Sequence, residues 1–224
     1  MKKQSFALFA VLLCGCFLFA EEYQCEFGRG KWNAEDFFMV KSPRWENVYQ
    51  WAQEEDHIVQ DVPAEVTDVE LRGASGSRDY VSMCYKEKIS TKEKLTFSSE
   101  MSFDERMAPL LVIAPEIGLS KRGVPEFREH YEIVLFDEGI NIWHHFWKDG
   151  KPSWTLAAYA RRQFLPKTKY RLEVSVSQVR GGMIEVRCDG LVMGCLAEGM
   201  PDALFLGITG CEGRNRFYDF RISF

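Results

Sequence analysis

Three histidines, two glutamates and three tryptophans fall within one short stretch of this chain, HYEIVLFDEGINIWHHFWKDGKPSW, residues 130–154. A carboxylate hydrogen-bonded to an imidazole fixes its tautomer and raises its basicity, which suits proton abstraction or general-base hydrolysis. Glu132 with His144 or His145 could form such a pair, with Tyr131 or Glu100 as a second acid or base. Flat indoles stack on pyranose rings while Asn and His bond hydroxyls. Trp143, His145 and Trp147 alternate onto one strand face with Asn141, and Tyr159 and Arg161 follow on the next run, so these are the candidate substrate-binding residues. The competing reading makes that face the inter-sheet core, with Trp143 and Trp147 buried.

Two strands must hold these groups. Residues 131–136 and 140–147 are rich in Val, Ile, Phe and Trp and flank Asp137-Glu138-Gly139, so they read as a hairpin in which Gly139 supplies a left-handed turn residue. A three-residue loop puts Glu132 opposite His144, and a loop of Glu138-Gly139 puts it opposite His145. The one-residue slip exchanges the faces, so both histidines stay candidates. Being adjacent on a strand, His144 and His145 point to opposite faces and cannot share a metal without a bulge. No catalytic metal is expected, and a structural calcium held by loop carboxylates stays open.

Period-2 runs at 80–86, 95–103, 110–114, 154–160, 170–179, 183–188, 191–196, 204–209 and 217–224 read as further strands, with Asp149-Gly150, Gly181-Gly182 and Asp189-Gly190 as turns. About a dozen strands with little helix predict an all-β, antiparallel two-sheet jelly-roll sandwich. Phe97, Met101, Phe103, Leu172, Val174, Val176, Phe220 and Ile222 are its expected inner residues. Residues 21–65 read as an irregular lead-in packing on the sandwich, which occupies 66–224. Glu65, Asp68 and Glu70, read as a strand edge, put their acids at the wrong alternation for a retaining pair of carboxylates.

Lys2, Lys3 and the apolar run 6–19 form a targeting segment, residues 1–20, so the mature chain is expected outside the cytoplasm. Leu13-Cys14-Gly15-Cys16 would alternatively place a lipid anchor on Cys16. No later run is long and apolar enough for a transmembrane span. The net charge of −5, with no basic stripe, argues against nucleic acid. Cys25, Cys84, Cys188, Cys195 and Cys211 have no metal or redox spacing and are expected mostly free and buried.

Gly139-Ile140-Asn141-Ile142-Trp143-His144, Leu156-Ala157-Ala158, Tyr170-Arg171-Leu172, the run IEVRCDG at 184–190, and Phe217-Tyr218-Asp219-Phe220-Arg221-Ile222 resemble the concanavalin A-like lectin/glucanase superfamily. More narrowly they resemble an uncharacterised bacterial family, domain of unknown function 1961. The resemblance spans 66–224. It implies a curved jelly roll and a polysaccharide or oligosaccharide partner, with an Ile-Asn-x-x-His motif on Ile140, Asn141 and His144. Three outcomes follow from it: a binding protein, a glycoside hydrolase or polysaccharide lyase, or a structural domain.

Overall fold

Alternating apolar residues need an apolar surface to lie against, and here two sheets supply it for each other. In a computed structural model, which describes residues 22–45, 49–73, 80–92 and 94–224, the chain forms an antiparallel jelly-roll sandwich. The targeting segment and Cys16 lie outside the described residues.

One sheet has nine strands. Its order is Leu191–Leu196, Met183–Cys188, Tyr170–Ser177, Leu95–Phe103, Asn215–Phe217, Ile58–Gln60 and Trp51–Gln53. Asp219–Ser223 also pairs with Leu95–Phe103 and carries Glu22–Glu26 on its other side. The eight-stranded sheet runs Lys151–Arg161, Gly139–Lys148, His130–Phe136, Pro109–Ala114, Ala203–Gly210, Val81–Tyr85 and Phe37–Met39, with Ile89–Ser90 beside Ala203–Gly210. A small ribbon of Ile117–Leu119 and Pro125–Phe127 stands apart.

Phe97, Met101, Phe103, Leu172, Val174, Val176, Phe220 and Ile222, expected inside, all belong to the buried inter-sheet cluster, where Leu111, Ile113, Ile133, Ile140 and Ile142 meet them from the eight-stranded sheet. A second buried cluster, including Val40, Cys84, Val112, Phe127 and Val134, covers part of that sheet's outer face. Cys25, Cys84, Cys188 and Cys195 are free thiols, the first three of them buried.

Three local expectations differ from the structure. The lead-in contributes strands Glu22–Glu26, Phe37–Met39, Trp51–Gln53 and Ile58–Gln60 to the two sheets. These strands are three to five residues long, too short for periodicity to declare them among charged neighbours. Residues 65–70 do not form a strand edge, because a helix runs over Asp68–Gly73. Thr67 and Glu70 form its capping box: the Glu70 amide donates to Thr67 Oγ1 at 3.2 Å and the Thr67 amide to Glu70 Oε2 at 2.8 Å. Finally, the central hairpin turns on Asp137-Glu138, with Phe136 opposite Gly139. Gly139 is required by close approach instead of by a turn, since a Cβ there would lie 2.2 Å from the Ala160 carbonyl oxygen.

Candidate functional site

The hairpin register decides which groups meet. It sets Glu132 opposite Trp143, Tyr131 opposite His144 and His130 opposite His145, one step from the register of the three-residue loop and two from that of the Glu138-Gly139 loop. A carboxylate still reaches a histidine, but diagonally: His145 Nε2 is 3.0 Å from Glu132 Oε2. His130, two residues before Glu132 and so on the same face, adds Nε2 at 3.4 Å from Oε1. The three are buried, with exposures of 0% for His130, 8% for Glu132 and 4% for His145. Burial alone would raise the Glu132 carboxyl, yet the two imidazoles outweigh it and hold the group well below the usual carboxylate range.

Tyr131 and His144 are not part of this cluster. Strand alternation turns both to the opposite face, where their rings stack at 4.4 Å and His144 Nε2 lies 2.8 Å from Glu129 Oε1. Tyr131 belongs to the inter-sheet core and lines a separate hollow of about 200 Å³. Glu100 is on the other sheet, in strand Leu95–Phe103.

Asn141, Trp143, His145 and Trp147 share the outer face of the eight-stranded sheet, for Ile140 and Ile142 between them point into the core. The competing core reading of that face therefore does not describe it. A bulge between Ile142/Trp143 and their partners leaves Ala157 unpaired, so Trp143 faces Leu156 and His145 faces Trp154. Were Ala157 paired with Trp143 instead, His145 would face Thr155. The result is a continuous stack: Phe127 on His130 at 4.7 Å, His130 on His145 at 4.6 Å, and His145 on Trp154 at 6.3 Å. The Arg44 guanidinium caps Trp154 at 4.7 Å and Trp45 at 4.8 Å.

At the Trp147 end of this face lies a groove of about 940 Å³. Its lining carries Lys41, Lys121, Arg122 and Arg128 against one carboxylate, Glu126. Glu126 accepts from Lys41 Nζ at 2.9 Å and from Arg128 Nη1 at 3.0 Å. Arg128 also lies over the Trp147 ring at 5.1 Å and donates to the Leu119 carbonyl at 2.7 Å. Trp147 is 37% exposed and lines the groove. Asn141, Tyr159 and Arg161 do not line it: Asn141 pairs with Tyr159, and Arg161 with Gly139, at the far end of the hairpin, where the Tyr159 hydroxyl donates to the Glu138 carbonyl at 3.2 Å.

Sequence reasoning missed His130, Trp154 and the groove's cations. The spacing His130-x-Glu132 was a sufficient signal for the first, because residues two apart on a strand share a face in any register. Nothing in the sequence marks the bulge that aims Trp154. Lys41 reaches Glu126 through a bridge between segments 85 residues apart, and the overall charge of −5 conceals this local surplus of positive charge.

Among the described residues, the only group of three or more His, Cys, Asp or Glu side chains placed to share an ion is His130, Glu132 and His145. Its two imidazoles suit a transition ion better than calcium, which takes oxygen ligands.

No protein-family model matches the chain and no curated protein matches it in sequence, so the narrower family resemblance rests on its short motifs. Solved structures resemble it in fold. A carbohydrate-binding module, CBM66 from Bacillus subtilis, superposes with TM-score 0.53 at 13% identity over 82% of this chain and 92% of that one. The potassium-bound carbohydrate recognition domain of Emp46p gives TM-score 0.57 at 11% identity over 89% and 95%. A GlcNAcα1-4Gal-releasing endo-β-galactosidase from Clostridium perfringens gives 0.58 at 9% identity, covering 91% of this chain and 62% of the enzyme. The fold is thus that of lectin-like β-sandwiches. Among the described residues, no helix is long and apolar enough to cross a membrane.

Proposed function

We propose that this is an exported carbohydrate-binding protein whose ligand is an anionic oligosaccharide or polysaccharide held in the Trp147 groove. The observation that carries the proposal is one half-exposed indole set among four cations and a single carboxylate in a groove of about 940 Å³. An indole offers a face to a sugar ring, and guanidinium groups offer paired donors to a carboxylate or sulfate on that ring. The volume lies within the usual range for small-molecule sites, roughly 300–1,000 Å³. Lectin-like neighbours in fold space agree with this reading. Export is supported by the basic, apolar amino terminus, and Cys16 is the residue that would carry a lipid.

Catalysis by Glu132 with His145 is the second reading, favoured by their 3.0 Å contact. It is weakened by burial, since a base that is 8% exposed is poorly placed to reach a polymer. Calorimetric titration of uronic-acid-containing, sulfated and neutral oligosaccharides tests the main proposal. Binding of the acidic members is expected, and Trp147→Ala should weaken it by about 1–3 kcal/mol with little change in Tm. Equal or absent binding across the panel would reject an anionic ligand, and release of reducing ends would favour the second reading.

A further inference from the structure

The His130, Glu132 and His145 cluster lies apart from the groove lining and asks for a positive ion. His130 Nδ1 is 2.8 Å from the Arg128 carbonyl oxygen, which can only accept, so the ring proton sits on Nδ1. In the neutral ring Nε2 is then a bare lone pair, and it faces Glu132 Oε1 at 3.4 Å.

A second, independent observation concerns Tyr80. Its hydroxyl is buried, makes no hydrogen bond among the described residues, and lies within electrostatic reach of Glu132. Its polar neighbours are Ser82 and Thr209, whose hydroxyls bond one another at 2.6 Å.

We propose that His130, Glu132 and His145 bind a divalent first-row transition ion of the Zn²⁺ class, with a fourth position left for water or another oxygen ligand. The ligand atoms of the three residues lie within 4.8 Å of one another. Donors about 2.1 Å from a tetrahedral ion stand roughly 3.4 Å apart, close to the observed 3.0 and 3.4 Å. The Arg128 carbonyl is the outer partner that such a histidine ordinarily has, and Phe127 and Trp154 hold the stacked rings in place.

The test uses the full chain, stripped with a chelator and titrated with Co²⁺ and with Zn²⁺. One ion per chain is expected, with the visible absorption of tetrahedral Co²⁺, no thiolate charge-transfer band, and a Zn²⁺-induced rise in Tm of about 5–10 °C at a hundredfold excess over Kd. His145→Gln and Glu132→Gln should each abolish the spectrum, whereas His144→Gln, on the opposite face, should keep it. The wild-type spectrum decides even if a variant fails to fold. Absence of binding, a thiolate signature from the free cysteines, or loss of binding in His144→Gln would overturn the site. None of these outcomes depends on sugar binding.

Discussion

Each sheet buries one carboxylate, and the two are completed in opposite ways. Asp219, on the nine-stranded sheet, receives four donors: Arg171 Nη1 and the Glu100 amide on Oδ1 at 3.1 and 2.8 Å, and Arg171 Nη2 and Arg221 Nε on Oδ2 at 2.7 and 2.8 Å. Every one of those atoms carries a hydrogen at any accessible pH. Glu132, on the eight-stranded sheet, faces two imidazole nitrogens, at 3.4 and 3.0 Å, whose hydrogens depend on tautomer and protonation. The first constellation is finished by the chain alone and reads as architecture, tying Asp219–Ser223 to Leu95–Phe103 beside the first strand. The second is held by two imidazoles, the arrangement proposed above to take in an ion.

The comparison can be broken most directly by removing each charge. Asp219→Asn leaves two arginines facing a neutral amide, so it should cost about 3 kcal/mol, the low end for a buried pair because both arginines are partly exposed. Glu132→Gln should cost less, about 1–3 kcal/mol, since a carboxamide can both donate to and accept from the two imidazole nitrogens. Urea unfolding of both variants in the presence of chelator checks the order. If Glu132→Gln is the more damaging, the eight-stranded site is the structural one.

A titration separates them further. Burial pushes the Asp219 carboxyl up, but Arg171 and the Glu100 amide prevail and hold it below its ordinary value. A depressed carboxyl adds stability that is complete above its unfolded pKa and is lost as pH falls toward the folded one. Wild-type stability should therefore decline below about pH 4, and Asp219→Asn should flatten part of that decline. Equal acid slopes in the two proteins would contradict the assignment.

The smallest effect is expected at Gly118, where a Cβ would lie 2.1 Å from Arg128 Nε. Gly118→Ala should push the guanidinium off Trp147 while leaving the Arg128 carbonyl, and so His130, in place. Affinity for an anionic sugar should fall, stability should move by no more than about 0.5 kcal/mol, and the response to Co²⁺ should be unchanged. A lost Co²⁺ spectrum would show that groove and cluster are one site.

Long amphipathic strands were legible in the sequence, because nine residues such as Leu95–Phe103 repeat the alternation often enough to fix a face. Short strands such as Phe37–Met39 were not, and neither was the helix at Asp68–Gly73, although Thr67-x-x-Glu70 announced its cap. For the cluster, Glu132 and a histidine were legible as partners but their register was not, since both loops read from the sequence, Asp137-Glu138-Gly139 and Glu138-Gly139, put Gly139 in the turn, whereas it pairs with Phe136 and is pressed against Ala160. The groove escaped notice for a different reason. Its walls come from segments around Lys41, Ser120, Arg128 and Trp147, and only the tertiary fold brings them together.

The unpaired Ala157 makes the outer face depend on where the ladder breaks more than on residue type. Many side chains could stand at that position, but a ladder that paired Ala157 with Trp143 would shift the outer half of the edge strand, from Lys151 to Leu156, by one step against its neighbour. Trp154 would leave His145 and Thr155 would take its place, exchanging every side chain on that half from one surface to the other. Removing Ala157 itself would close the bulge with Trp154 still opposite His145.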